Sequence, residues 1–191
     1  MKSGRILRRS FYARPTVEVA RDLLGKELRH GETSGLIVET EAYGGPGDLA
    51  AHSARGITGR TRVMFGPPGH AYVYFIYGMY ECVNVVAEPD GVAGAVLIRA
   101  LEPVRGIDTM QARRPKVKRV EDLASGPGKL TLALGITRAL NGADLTRGSL
   151  TIRDTGLAGF ETVCGPRVGI TQCLDWPLRF SIAGNRFVSR A

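Results

Sequence analysis

The middle of the chain consists of short β-branched and aromatic runs separated by turn residues, and this pattern constrains the fold most. Valine, isoleucine, tyrosine and phenylalanine favour strands, whereas glycine, proline and aspartate between them mark turns. The pattern predicts strands in the first half of the chain at residues 26–30, 35–43, 71–76, 80–87 and 94–101. Shorter strands are predicted near the end at residues 150–154, 163–170, 179–182 and 186–189.

Fewer segments have the features of helices. Pro15 and Thr16 can begin a helix that extends to about Leu24, where Gly25 can cap its end. Two further helices are predicted over residues 103–113 and 126–134, with a basic linker at residues 114–119 between them and Gly135 just past the end of the second.

Helices that flank a block of strands, rather than alternating with the strands, indicate the α+β class. A length of 191 residues fits one domain. We therefore predict a single domain over residues 1–191 that begins with a basic, loosely held arm at residues 1–14. Its sheet is expected to be curved and mostly antiparallel, with flanking helices and one protruding β-hairpin.

The net charge narrows the choice of partner. Lys and Arg number 26 against 18 Asp and Glu, which gives a formal net charge of +8. A basic excess favours a polyanionic partner, but it does not by itself distinguish DNA, RNA and an anionic membrane surface. The apolar runs are far shorter than the roughly 20 residues of a membrane-spanning helix, so we expect no membrane association. Because no signal peptide is visible, the chain is expected inside the cell.

The three cysteines, Cys82, Cys164 and Cys173, are widely spaced, and the sequence has neither a CxxC nor an HxxxH pattern. Such spacing offers no set of metal ligands. Thiols inside the cell usually stay reduced. We therefore expect no metal, no cofactor and no disulfide.

The segment VETEAY at residues 38–43 combines two carboxylates and a phenol. Alternation along a strand places Glu39, Glu41 and Tyr43 on one face. By itself this pattern is typical of a solvated strand face. The flanking sequence favours a functional site, because His52 follows in a loop that contains glycine and proline, and a basic stretch comes after it.

Four of the six tyrosines lie within residues 72–80, soon after the basic stretch GRTR at residues 59–62. Tyr72 and Tyr74 share one strand face. Aromatic rings beside a basic surface can hold an unstacked nucleobase, because every base has a π-face. Packing within a sheet is the alternative, since tyrosine also suits half-buried strands.

The segment SGPGK at residues 125–129 is similar to a phosphate-binding loop. A Walker A motif would need Gly at position 123 and Ser or Thr at position 130, where this chain has Leu123 and Leu130. Ser125 could still cap a helix whose free N–H groups bind a phosphate, and an ordinary capped helix is the alternative.

Together these motifs resemble the alkyladenine DNA glycosylases, which are also called methylpurine or 3-methyladenine DNA glycosylases. The matching segments follow the family's order over nearly the whole chain and are VETEAY at 38–43, AAHS at 50–53, MF at 64–65, YVYFIYGMYECVN at 72–84, LIRALEP at 97–103, SGPGKL at 125–130, RVGI at 167–170 and PLRF at 177–180. The segment between Asn84 and Arg99 and residues 137–164 match less well.

The resemblance implies a role for each matching residue. Glu41 corresponds to the general base that deprotonates the attacking water, and Arg99 to an arginine that helps hold this water. Tyr77 corresponds to the residue that enters the duplex and fills the space vacated by the flipped base. The implied base-pocket residues are Tyr43, His52 and Tyr74 around the base, Asn84 at the purine 2-position, and the backbone of Val168 and Gly169 beside the water. Candidate phosphate contacts are Arg60, Arg62, Ser125 and Lys129.

The implied activity is that of a monofunctional DNA glycosylase in base excision repair. An alkylated or deaminated purine is rotated out of the duplex and its N-glycosidic bond is hydrolysed. A carboxylate near the sugar suits the oxocarbenium-like transition state, and electron-rich rings suit a cationic alkylated base. No lysine matches a Schiff-base nucleophile, so hydrolysis without strand cleavage is expected. The expected partner is double-stranded DNA with damaged purines, bound by a monomer in the cytoplasm near the nucleoid of a bacterium, or in the nucleus of a eukaryote.

Two other functions stay open at this point. Glu39 and Glu41, about 6.6 Å apart along a strand, could serve a carbohydrate glycoside hydrolase. A basic chain with a single tryptophan is atypical of that class. A non-catalytic nucleic-acid-binding module could instead use the tyrosines as a stacking platform. Release of free base from damaged DNA would distinguish a DNA glycosylase from both.

Overall fold

The structure is a computed structural model, and it describes residues 4–45, 47–76 and 78–190. Within these ranges the strands are β1 Arg5–Ile6, β2 Glu27–His30, β3 Thr33–Gly44, β4 Ala71–Ile76, β5 Tyr80–Val86, β6 Gly94–Arg105, β7 Leu150–Asp154, β8 Thr162–Gly165 and β9 Arg179–Ile182. The α-helices are α1 Arg9–Tyr12, α2 Thr16–Asp22, α3 Ile107–Arg113 and α4 Pro127–Leu134. Short 3₁₀ turns lie at His52–Arg55, Arg62–Phe65, Val120–Asp122 and Arg138–Leu140. None of the helices in the described ranges has the length and apolar character needed to cross a membrane.

The strands form one curled antiparallel sheet, which confirms the predicted α+β class. Along its main path the strand order is β1-β7-β2-β3-β6-β5-β4, and β9 pairs with both β3 and β8. The central strand is β3, which pairs with β2 near its start, with β6 along most of its length and with β9 at residues 39–41. Residues 39–41 are therefore held between strands on both sides.

The apolar core lies between this sheet and the helices. Ile37 of β3, Val19 of α2 and Leu130 of α4 are all fully buried in one cluster. The hydroxyl of Thr40 donates to the carbonyl of Ala20 at 2.8 Å, so a buried polar group is satisfied while α2 is joined to β3. Helix α4 ends where Gly135 adopts a φ of 68°, a left-handed conformation that favours glycine.

Residues 5–12 of the predicted arm are packed against the sheet and are not loosely held as we expected. Arg5 and Ile6 pair with β7, and the Leu7 N–H donates to the carbonyl of Ile152 at 2.9 Å. Tyr12 is fully buried, and its ring lies so close to Gly69 that any side chain there would collide with it. Apolar residues among the arginines explain the difference, because they can pack while the basic groups stay in water.

The predicted helix at residues 103–113 begins later than expected. Strand β6 continues through Pro103 to Arg105, and α3 starts only at Ile107. Proline lacks the N–H needed for a regular strand ladder, and it is tolerated here because β3 has a register shift between Ser34 and Gly35, opposite it.

Two predicted strands near the end of the chain are wrong in extent or in type. Strand β8 stops at Gly165, so the rest of the predicted strand at 163–170 is a loop. Residues 186–189 do not form a strand, because the Val188 N–H donates to the nearby carbonyl of Asn185 and the N–H groups of Phe187 and Ser189 bind side chains instead of a neighbouring strand. Phe187 donates to Asn185 Oδ1 at 2.9 Å, and Ser189 donates to Glu39 Oε2 at 2.8 Å.

The hairpin predicted after residue 71 is present as a paired unit. Strands β4 and β5 pair from Ala71 opposite Val85 to Ile76 opposite Tyr80. The turn between them includes Gly78, whose φ of 68° suits glycine. Tyr77 lies outside the described residues, and the protrusion of the hairpin stays a prediction.

Candidate active site

Glu41 lies on β3 with no exposed surface, and each of its oxygens has a hydrogen-bond donor. Oε1 accepts the backbone N–H of Val168 at 2.7 Å, and Oε2 accepts the hydroxyl of Tyr43 at 2.7 Å. Nη1 of Arg99 lies 3.3 Å from Oε1. The carboxylate is thus held from three directions, by its own strand, by β6 and by the loop after β8.

Arg99 reaches this position because β6 carries an extra residue there. Glu39 pairs with Ala100 and Thr40 pairs with Ile98, so Arg99 has no partner on β3 and forms a bulge. A bulge re-aims a side chain. Here it lets the Arg99 guanidinium contact both Glu39 and Glu41.

The remaining nitrogens of Arg99 are bound away from Glu41. Nε donates to Glu39 Oε1 at 3.1 Å, and Nη2 donates to Ser189 Oγ at 3.3 Å. The other oxygen of Glu39 accepts the N–H of Ser189. Glu39 therefore binds the side of Arg99 that faces away from Glu41, and Ser189 contacts both Glu39 and Arg99. Ser189 was not predicted, because nothing local in the sequence connects it with Glu39.

Burial raises the pKa of Glu41 above its usual value. Arg99 and the hydrogen bonds from Val168 and Tyr43 act in the opposite direction, but they do not cancel the effect of burial. A carboxylate with a raised pKa is a stronger base than one in water, which is the property that a general base requires.

A cavity of about 430 Å³ lies against this cluster. Its volume is in the range of small-molecule sites. Glu41 itself does not line the cavity, whereas its three partners Tyr43, Arg99 and Val168 do. The carboxylate therefore lies one layer behind the cavity wall. The predicted base-pocket residues Tyr43, His52, Tyr74, Asn84, Val168 and Gly169 all line the cavity, together with Arg99.

One side of the cavity is a compact aromatic wall. The rings of His52 and Tyr74 meet edge to face with centroids 4.7 Å apart, and Tyr72 lies 5.3 Å from Tyr74. Nδ1 of His52 lies 3.0 Å from the Tyr72 hydroxyl. The pKa of His52 is lowered to about 4, first by burial and then by the nearby charge of Arg60, so the imidazole is neutral near pH 7.

Tyr43 is fixed by a buried ion pair that the sequence did not suggest. The guanidinium of Arg167 lies 4.6 Å from the centre of the Tyr43 ring and binds both oxygens of Asp48, at 2.7 and 2.8 Å. Asp48 also accepts the N–H groups of Gly44 and Ala50. Although burial alone would raise the pKa of Asp48, these hydrogen bonds and the charge of Arg167 keep it below its usual value.

Asn84 and Cys82, both on β5, complete the inner surface. The Asn84 side-chain amide donates to the backbone oxygen of Tyr72 at 3.0 Å, which fixes its orientation. Cys82 is buried and lines the cavity, and burial raises the pKa of its thiol to about 11. No pattern in the sequence placed this cysteine at the site.

The candidate phosphate contacts fall into different places. Arg60 is exposed and lies against the aromatic wall, whereas Arg62 is exposed on the adjoining 3₁₀ turn. Lys129 Nζ is 3.4 Å from Ser125 Oγ at the start of α4. Ser125 does not cap this helix, contrary to our expectation. The cap residue is Gly126, which has no side chain to form a capping bond.

Tyr77, the predicted wedge residue, lies outside the described residues. Its neighbour Ile76 and the nearby Tyr80 both line the cavity. Within the ranges that the structure covers, no three His, Cys, Asp or Glu side chains are grouped so that they could hold a metal ion.

Comparison with known proteins shows which family the chain belongs to. The family model described as "Methylpurine-DNA glycosylase (MPG)" matches residues 10–186. A protein of Methanoculleus marisnigri is 57% identical over 95% of this chain and 97% of its own length. A protein of Alkaliphilus oremlandii is 52% identical over 96% of this chain and 98% of its own length. One from Burkholderia cenocepacia is 50% identical over 98% and 93%, respectively.

All three relatives carry the name "Putative 3-methyladenine DNA glycosylase". The family match covers the strands and loops that form the cavity, from β3 to the loop that contains Val168. The chain therefore belongs to the methylpurine-DNA glycosylase family and is a DNA N-glycosylase.

Proposed function

We propose that this enzyme rotates a damaged purine out of duplex DNA into the cavity and hydrolyses its N-glycosidic bond, with Glu41 as general base. One observation carries the proposal. A buried carboxylate with a raised pKa lies directly behind an aromatic cavity, and the residues that hold it also form the cavity wall. A base within a duplex cannot reach such a cavity, so the reaction requires base flipping.

The chemistry follows from the partners of Glu41. A water molecule at the wall formed by Arg99 and Val168 could be deprotonated by Glu41 as it attacks C1′ of the sugar, while the bond from C1′ to the purine nitrogen breaks and the base leaves with the bonding electron pair. A cationic alkylated base leaves as a neutral molecule, and a neutral base takes up a proton from solvent. A small movement of the Val168 loop would give the water access to Oε1, and hydrogen bonds in enzymes without substrate are often looser than in the reacting complex. The negative charge of Glu41 would also stabilise the oxocarbenium-like transition state.

The walls of the cavity suit an extruded purine. We propose that the base stacks between Tyr43 on one side and the pair His52 and Tyr74 on the other, since aromatic rings stack with any base. Asn84, fixed by its bond to Tyr72, would crowd the purine 2-position and disfavour guanine. The names of the relatives point to 3-methyladenine as a substrate class, and alkylated and deaminated purines in general are proposed here.

We further propose that Tyr77 enters the duplex and fills the gap left by the flipped base. Arg62, Lys129 and Ser125 are proposed as phosphate contacts, in keeping with the net charge of +8. No lysine is among the described residues that line the cavity, so release of the base without strand cleavage is expected. The enzyme is proposed to act as a monomer with one catalytic domain over residues 1–191.

The contacts of Glu39 argue against a carbohydrate hydrolase that uses Glu39 and Glu41 as a catalytic pair. Both oxygens of Glu39 are occupied by Arg99 and Ser189, and the residue is fully buried outside the cavity lining. An acid and nucleophile pair needs both carboxyl groups beside the scissile bond. Glu39 is therefore assigned a positioning role.

The test compares Glu41→Gln with Glu39→Gln on duplexes that contain one hypoxanthine or one alkylated purine, with released base detected by chromatography. Glu41→Gln should bind the duplex and lose at least about 10²–10⁴-fold in single-turnover rate, the usual contribution of general acid–base catalysis. Glu39→Gln should lose much less. Release by Glu41→Gln at close to the wild-type rate would remove Glu41 from the mechanism.

A further inference from the structure

Arg60 makes three contacts with the aromatic wall of the cavity. Its guanidinium carbon lies 4.9 Å from the centre of the Tyr74 ring. Nε donates to the hydroxyl of Tyr72 at 3.3 Å, and Nη2 lies 3.4 Å from Nε2 of His52. Arg60 thus touches every ring of this wall.

These contacts fix the protonation of His52. A guanidinium has only donors, so Nε2 of His52 must accept from Arg60. The remaining proton of the neutral imidazole is then on Nδ1, and it is donated to the Tyr72 hydroxyl at 3.0 Å. The wall therefore presents a neutral imidazole in one tautomer, with the charge of Arg60 on its outer side.

Arg167 offers an instructive comparison, because it also places a guanidinium against a tyrosine of the cavity. Neither Arg60 nor Arg167 is among the described residues that line the cavity, so each guanidinium lies behind its ring. The charge of Arg167 is neutralised by two short bonds to Asp48. Arg60 differs in this respect, since no Asp or Glu in the described ranges lies within ion-pair distance of it.

We propose that Arg60 is a specificity-determining residue, whose uncompensated charge behind the His52–Tyr74 wall favours neutral damaged purines over cationic ones. This inference rests on the proposed function, in which the extruded base stacks on that wall. A cationic base would lie about 8 Å from the Arg60 charge, across the thickness of one ring. Arg60 already makes a cation–π contact with the Tyr74 ring. This contact would weaken the attraction of the ring for a second cation, the extruded base.

The expected size of the effect follows from Coulomb's law. The repulsion between two unit charges about 8 Å apart, in surroundings intermediate between a protein surface and bulk water, corresponds to a change of about three- to tenfold in the rate for a cationic base relative to a neutral one. A neutral base such as hypoxanthine is not subject to this repulsion. Removal of the charge should therefore accelerate excision of a cationic base relative to a neutral one.

The experiment uses two duplexes of identical sequence, one with hypoxanthine and one with 7-methylguanine, under single-turnover conditions with saturating enzyme. Arg60→Gln should raise the ratio of the 7-methylguanine rate to the hypoxanthine rate about three- to tenfold. Arg60→Lys keeps the charge and should leave the ratio close to that of the wild type. Arg62→Gln removes a proposed phosphate contact two positions away, so it should weaken binding of both duplexes alike and leave the ratio unchanged.

Two results would overturn the proposal. If Arg60 acts only as a phosphate contact, Arg60→Gln slows both substrates alike, weakens binding to undamaged duplex and reduces the salt slope by about 0.9. A shift of the ratio toward hypoxanthine would contradict the sign of the argument. Wild-type enzyme that releases neither base would instead refute the proposed function, so the two failures are distinguishable. Circular dichroism of each variant shows that the fold is intact.

Discussion

The buried pair of Asp48 and Arg167 gives the sharpest test of how the cavity is held together. Both side chains are fully inaccessible to solvent and are joined by two hydrogen bonds. Removing one member leaves an uncompensated buried charge, which typically costs about 3–5 kcal/mol. For a chain of this length each kcal/mol corresponds to about 2–4 °C in Tm, so Arg167→Met should unfold roughly 6–20 °C below the wild type.

A double-mutant cycle separates the ion pair from its surroundings. Asp48→Asn and Arg167→Met should each destabilise strongly, whereas the double variant should lose at least about 1 kcal/mol less than the sum of the two. Thermal or urea unfolding at pH 7 measures all three. The matched control is Asp22→Asn, because the Asp22–Arg14 pair is partly exposed and should contribute at most about 1 kcal/mol. A single variant within 1 kcal/mol of the wild type would refute the reasoning.

The pH dependence of this pair has a defined sign. The pKa of Asp48 is lowered in the folded protein, so its contribution is fully present above the unfolded value of about 3.9 and is lost as the pH falls through the folded pKa. The difference between wild type and Asp48→Asn should therefore shrink only in strong acid. A difference that disappears between pH 7 and pH 5 would assign the stabilisation to another group.

The remaining predictions concern the proposed base Glu41, the aromatic wall and the proposed wedge residue Tyr77. Because burial raises the pKa of Glu41, its charged form opposes folding above that pKa, and Glu41→Gln should unfold at the same or a higher temperature than wild type at pH 7. This advantage should vanish as the pH falls toward about 4.3. The assignment would be contradicted if the stability of Glu41→Gln, measured against wild type at the same pH, were lower at pH 7 than at pH 4. NMR titration of His52 should give a pKa of about 4 that rises in Arg60→Gln but stays below the ordinary value, since burial is the larger cause; an unchanged value would disprove the contact with Arg60. Tyr77→Ala should fold normally and lose a few kcal/mol of stability in the flipped state, as reported by a fluorescent base analogue at the lesion; equal extrusion or an unfolded variant would exclude the wedge role.

The sheet could be predicted largely from the sequence, because alternation and turn residues are local signals. The strands at 71–76, 150–154 and 179–182 have the predicted bounds, and the glycine after α4 ends that helix as expected. The errors arise where a contact between residues distant in the sequence determines the local backbone conformation. Pro103 continues a strand because its partner strand shifts register, and Ser189 is irregular because Glu39 takes its N–H.

The candidate site could be predicted as a list of residues but not as a network. Glu41, Tyr43 and Arg99 were indicated by strand alternation and by the resemblance to the family. Asp48 and Arg167 lie 119 residues apart in the sequence, so no local pattern connects them. Arg60 was predicted as a phosphate contact because its charge was visible, whereas its position against three rings depends on how the 3₁₀ turns fold over β4.

The buried charges of this fold fit the proposed role of Glu41 as a base. A carboxylate in an apolar site would be protonated near pH 7, and one in water would be a weak base. Arg99 and the Val168 N–H provide an intermediate environment, in which Glu41 is dry and still has donors for its negative charge. Arg99 can do this without becoming an unpaired buried cation only because Glu39 binds its other side. The bulge on β6 and the contacts of Ser189 are therefore parts of the proposed catalytic arrangement, since without them Arg99 could not bridge the two carboxylates.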